Sequence, residues 1–73
     1  MKVRARDGKT YEVNNAPPGG AHEVYLDGQL MGTFTLLADE TKTSVRSKAM
    51  TDILLVDIAD RFVAQGGAPM GIA

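Results

Sequence analysis

Ser47 to Gln65 constrains this chain most, because Ile53 to Val63 carries its one strongly helical pattern. At 3.6 residues per turn, Leu54, Ile58 and Phe62 form an i, i+4, i+8 row, and Leu55, Ala59 and Val63 form the row beside it. Asp57, Asp60 and Arg61 fall on the other side, where Asp57 and Arg61 at i, i+4 make a pair worth roughly 0.2–0.5 kcal/mol. Ser47 is the expected start of the helix, with Thr43, Ser44 and Thr51 as other possible N-caps. Gly66-Gly67 supplies the stop, and Pro69 prevents resumption.

What precedes the helix reads as strands. Lys2 to Arg6 alternates basic and apolar residues, placing Val3 and Ala5 on one face and Lys2, Arg4 and Arg6 on the other. A three-residue loop, Arg6-Asp7-Gly8, with Gly8 in the left-handed position of a bulged turn, pairs Ala5 with Lys9, Val3 with Tyr11 and Lys2 with Glu12. That register separates apolar from charged side chains, whereas a two-residue turn mixes them. Asn14 to Gly20 contains only loop formers. His22 to Leu26 is then a third strand, and Asp27-Gly28 a second turn, for which the same bulged register pairs Tyr25 with Gln29 and Val24 with Leu30. Gly32 interrupts the fourth strand, Gln29 to Leu37, as a glycine does at a bulge or a close backbone approach. Ala38 to Thr43 is polar and lacks apolar period, so it reads as a surface connection. The expected fold is α+β: a four-stranded antiparallel sheet of two Asp-Gly hairpins packed on one C-terminal helix, a single domain over residues 1–67 with a frayed tail over 68–73.

At 73 residues the chain is near the lower limit for a self-sufficient core, and the absence of cysteine removes disulfides as reinforcement. Self-association is the remaining candidate. Leu55, Val56, Ala59 and Val63 span more arc than one small sheet covers, which makes them the expected surface of a symmetric homodimer. A protein partner on the same surface is also open.

Eight basic and nine acidic residues give a net charge of −1, so no global field steers the chain to nucleic acid or to an anionic membrane. The N-terminal residues lack the apolar core of a secretory signal, and Ile53 to Val56 is too short to span a bilayer, so a cytoplasmic location is expected. The local basic feature is Lys2, Arg4 and Arg6, which alternate at about 7 Å along one strand face, a spacing that can track phosphates. With Tyr25 as a stacking platform and Lys42, Arg46 and Lys48 as an extension, this surface gives an alternative, single-stranded nucleic-acid reading. The element order, four strands and then a helix, resembles that of Pur-repeat and Whirly-type single-strand-binding domains, which pair through their helices. Their residue motifs do not occur in this chain.

Signs of an enzyme are few. His22 is the sole histidine and reads as a strand-end surface residue; its possible co-ligands are the carboxylates Glu23, Asp27, Asp39 and Glu40. Ser44 and Ser47 lack a nucleophile-elbow context, and Gly19-Gly20 precedes no phosphate-binding lysine. The expectation is a non-enzymatic interaction protein without a cofactor or metal; a site completed across a dimer interface is the third possibility.

Overall fold

A computed structural model describes residues 1–67; the tail expected over 68–73 lies outside the described residues. Among the described residues, an antiparallel sheet of five strands packs on one C-terminal helix. The strands are β1 (Lys2–Arg4), β2 (Thr10–Val13), β3 (His22–Leu26), β4 (Gln29–Leu36) and β5 (Thr41–Val45), lying side by side in chain order, and α1 (Asp52–Ala64) covers one face.

The first hairpin has the expected register, with Val3 opposite Tyr11 and Lys2 opposite Glu12. The Ala5 N–H donates to the Lys9 carbonyl at 2.9 Å, and Gly8, at a φ of 84°, donates its N–H back to the Ala5 carbonyl at 2.9 Å. A bulged three-residue loop needs a left-handed residue at that point.

The second hairpin departs from expectation. Asp27 and Gly28 both have positive φ, 51° and 81°, which makes a two-residue turn of type I′. Leu26 therefore faces Gln29, and Tyr25 faces Leu30. Left uncorrected, this register would turn Phe34 out of the core. A bulge at Met31 corrects it, because Val24 faces Gly32 and His22 faces Phe34. Leu30, expected inside beside Val24, lies on the outer face, and Met31 is buried instead.

The fifth strand is the main correction to the expected four. Thr41, Thr43 and Val45 alternate toward the helix, so the strand carries its period in β-branched threonines rather than in a fully apolar pattern. The helix begins at Asp52, not Ser47. Ser47 makes a local turn instead, its Oγ accepting from the Ala49 N–H at 3.2 Å and its carbonyl from the Met50 N–H at 3.1 Å. Thr51 is the N-cap, its Oγ1 accepting from the Leu54 N–H at 3.1 Å. Buried Met50 precedes the cap and Leu55 follows four residues after it, the arrangement of a hydrophobic staple. At the other end the Gly66 and Gly67 N–H groups donate to the carbonyls of Val63 and Phe62 at 3.0 and 2.9 Å, a Schellman closure.

Val3, Tyr11, Val13, Val24 and Phe34 of the sheet and Leu55, Ile58, Ala59 and Phe62 of the helix form the core. Gly32 sets the distance between the layers. A Cβ there would sit 2.8 Å from the Ser44 carbonyl oxygen and 2.9 Å from Leu55 Cδ1. No helix among the described residues is long and apolar enough to cross a membrane.

Candidate interaction surface

The helix spends part of its apolar surplus within the chain. Leu55 and Ala59, expected at a dimer interface, are fully buried against the sheet of the same chain. Val56 and Val63 remain outside at 38% and 50% exposure, joined by Ile53 at 71%, which was not among the expected residues. Ile53, Val56 and Val63 stand at i, i+3 and i+10. That spacing marks one exposed stripe on the helix and is visible in the sequence once the buried rows are known.

A polar row, Asp57, Arg61 and Gln65 at i, i+4, i+8, turns the other flank of α1 toward β1. The Asp57 carboxylate accepts the Arg6 backbone N–H at 2.9 Å, Arg61 Nη1 donates to the Arg4 carbonyl at 3.4 Å, and Gln65 Nε2 donates to the Lys2 carbonyl at 3.1 Å. The expected Asp57–Arg61 pair forms, with Nε at 3.1 and 3.0 Å from the two carboxylate oxygens. Burial pulls the Asp57 carboxyl upward, but the Arg6 N–H and the Arg61 guanidinium outweigh it and hold the group below the ordinary carboxylate value.

The basic residues do not form one stripe. Lys2 and Arg4 are exposed on the sheet face away from the helix, but Arg6 has already entered the turn and lines an open groove along α1 with Asp52, Ile53, Val56, Asp57 and Asp60. Lys42 shares the outer face on β5, followed by exposed Arg46 and Lys48. Since β1 and β5 are opposite edges, four strand spacings, or about 19 Å, separate the two groups. Glu12 and Glu23 lie between them. Tyr25 is half-buried on this face and lines an open groove of about 680 Å³ with Lys2, Thr10, Glu12 and Asn14. Glu12 is held by the Met1 ammonium at 2.8 Å, and that hydrogen bond lowers its pKa.

His22 is a further correction. It is fully buried, not a surface residue, because its place on β3 faces the helix. Its ring stacks on Phe34 at 5.0 Å and tilts against Phe62 at 4.9 Å, while Nδ1 donates to the Asn14 carbonyl at 2.9 Å. Nε2 is buried without a partner among the described residues. The described residues contain no cluster of three or more His, Cys, Asp or Glu side chains able to hold a metal ion. The fifth strand also removes the likeness in element order to the Pur-repeat and Whirly-type domains. No protein-family model matches the chain, and no curated protein or solved structure is significantly similar to it.

Proposed function

We propose that this chain is a small non-enzymatic interaction protein that works in the cytoplasm as a homodimer, self-associating through the exposed flank of α1. The observation that carries the reading is the stripe of Ile53, Val56 and Val63, at 71%, 38% and 50% exposure on a helix whose neighbouring rows already fill the core. Burying an exposed aliphatic side chain fully contributes roughly 1.5–3 kcal/mol, a sizeable gain for a domain of this length. Sedimentation at several concentrations tests it. The wild-type chain should run as a dimer, and Val56→Glu with Val63→Glu should run as a folded monomer. A wild-type monomer at every concentration, or a variant dimer as tight as the wild type, overturns the reading.

Lys2 and Tyr25 in one groove on the uncovered sheet face support a second reading, weak binding of single-stranded nucleic acid. It expects salt-sensitive binding of a mixed-sequence oligonucleotide that Lys2→Gln with Arg4→Gln abolishes.

A further inference from the structure

The two edges of the sheet are finished differently. On β1, Ala5 pairs with Lys9 and Met1 with Val13, so the intervening backbone groups of Lys2 and Arg4 point away from the sheet. The Asp57–Arg61–Gln65 row covers that edge by binding the Lys2 and Arg4 carbonyls and the Arg6 N–H. On β5, the Leu37–Glu40 and Met31–Arg46 bonds fix the opposite parity, which turns the N–H and C=O groups of Thr41, Thr43 and Val45 outward. Those groups have no hydrogen-bond partner among the described residues. An uncovered strand edge is a template for another strand.

We propose that the β5 edge pairs antiparallel with the β5 edge of a second copy of this chain, about a two-fold axis at Thr43. The proposal rests on the self-association reading above and gives it a geometry. Thr43 then meets the partner's Thr43, and Thr41 meets the partner's Val45, each pair exchanging two backbone hydrogen bonds.

The charges on β5 suit a second copy of the chain and favour the register at Thr43 over its two nearest neighbours at Lys42 and Ser44. Glu40, Lys42, Ser44 and Arg46 alternate along the outer face. With Thr43 at the axis, Glu40 lies opposite the partner's Arg46 at both ends, and Lys42 lies opposite the partner's Ser44. Moving the axis to Lys42 sets Lys42 against its own copy. Moving it to Ser44 sets Lys42 against the partner's Arg46. Of the three registers, the one at Thr43 joins opposite charges and opposes no like ones.

The helix agrees with this arrangement. A two-fold axis through a continuous sheet leaves both helices on the same face. The flank of α1 turned toward β5 is marked by Asp52, whose carboxylate accepts the Thr43 hydroxyl at 2.7 Å. Val56 and Val63 lie within about 40° of Asp52 around the helix, but about 6 and 16 Å farther along it, so Val56 is the nearer of the two to the two-fold axis. Any helix contact across this axis is therefore confined to the first turns of α1, from Asp52 to Val56.

Charge exchange tests the register. Glu40→Arg alone sets like charges opposite at both ends of β5, as does Arg46→Glu alone, and each should weaken the dimer about tenfold at low salt. An equimolar mixture of the two single variants should associate as tightly as the wild type, because every Arg then meets a Glu across the axis. Val45→Pro supplies a second test. It removes an outward donor and leaves the β4–β5 bonds intact, so the chain should stay folded by circular dichroism and sediment as a monomer. If the single variants and Val45→Pro dimerise like the wild type while Val56→Glu with Val63→Glu does not, the β5 pairing is overturned and the helix reading stands. Mixed variants no tighter than either alone overturn the register. A monomeric wild type overturns both.

Discussion

Asp57 on α1 accepts the backbone N–H of Arg6 at 2.9 Å, tying the helix to the turn that follows β1. The same carboxylate holds Arg61. Asp57→Ala should lower stability by about 1 kcal/mol, since it removes one charge-assisted bond and one helix-surface pair. The folded-state pKa of Asp57 lies below its ordinary 3.8, so its contribution is complete above that value and fades as pH falls through the lower folded value. Urea unfolding of the wild type and Asp57→Asn at pH 7 and pH 3 should therefore show a gap that narrows in acid. An equal gap at both pH values would contradict the assignment.

Gly32 lies beneath Leu55, with room for a hydrogen but not for a methyl group. Gly32→Ala should cost about 1–3 kcal/mol by overpacking. Part of the strain comes from Leu55 Cδ1 and part from the Ser44 carbonyl, which cannot move without shifting β5. The penalty should fall in a Leu55→Ala background without vanishing. A double-mutant cycle from thermal unfolding measures this, and simple additivity would show that the side chain gives way freely.

The first hairpin was legible because only one register kept Val3 and Tyr11 together and Lys2 and Arg4 apart from them. The second was not, since a bulged loop and a type I′ turn followed by a bulge both bring Val24 and Phe34 inward, and Leu30 and Met31 are both apolar. β5 was hidden because its inward positions are Thr41, Thr43 and Val45, too polar as a set to stand out. Without β5, Glu40 and Arg46 were loop charges with no relation to one another, and the candidate interface could not be drawn. Asp57–Arg61 followed from helical spacing alone. That the same row continues through Gln65 to seal β1 depends on how the helix crosses the sheet, which no local pattern encodes.

Tyr11 is the buried phenol of the first hairpin, its hydroxyl donating to Asp7 Oδ2 at 2.7 Å. Desolvation, reinforced by the Asp7 carboxylate, pushes its pKa from 10.0 up to about 12. The stability from keeping it protonated is complete below pH 10 and is lost as pH rises toward 12. In a Tyr25→Phe background, phenolate absorbance should appear with a midpoint near 12 while circular dichroism remains native, and unfolding free energy should decline over the same interval. A midpoint near 10 in the folded chain would mean that the hydroxyl is open to water.

His22 has the opposite problem, a polar atom where the fold wants none. Nδ1 is used by the Asn14 carbonyl, but Nε2 is buried without a partner among the described residues, in a ring packed against Phe34 and Phe62. An unsatisfied buried acceptor costs roughly 1–3 kcal/mol, and a neutral hydrogen bond returns about 1. Asn14 itself is an exposed residue, and the bond its carbonyl accepts is only part-buried, so losing that bond costs less than the orphaned acceptor does. His22→Phe should therefore be at least as stable as the wild type, retaining the aromatic contacts and removing the orphaned acceptor. His22→Ala should lose roughly 2–4 kcal/mol to the cavity it leaves. Chemical denaturation of both variants decides the point. A His22→Phe variant weakened as much as His22→Ala would show that the bond to Asn14, rather than ring packing, is what the position requires.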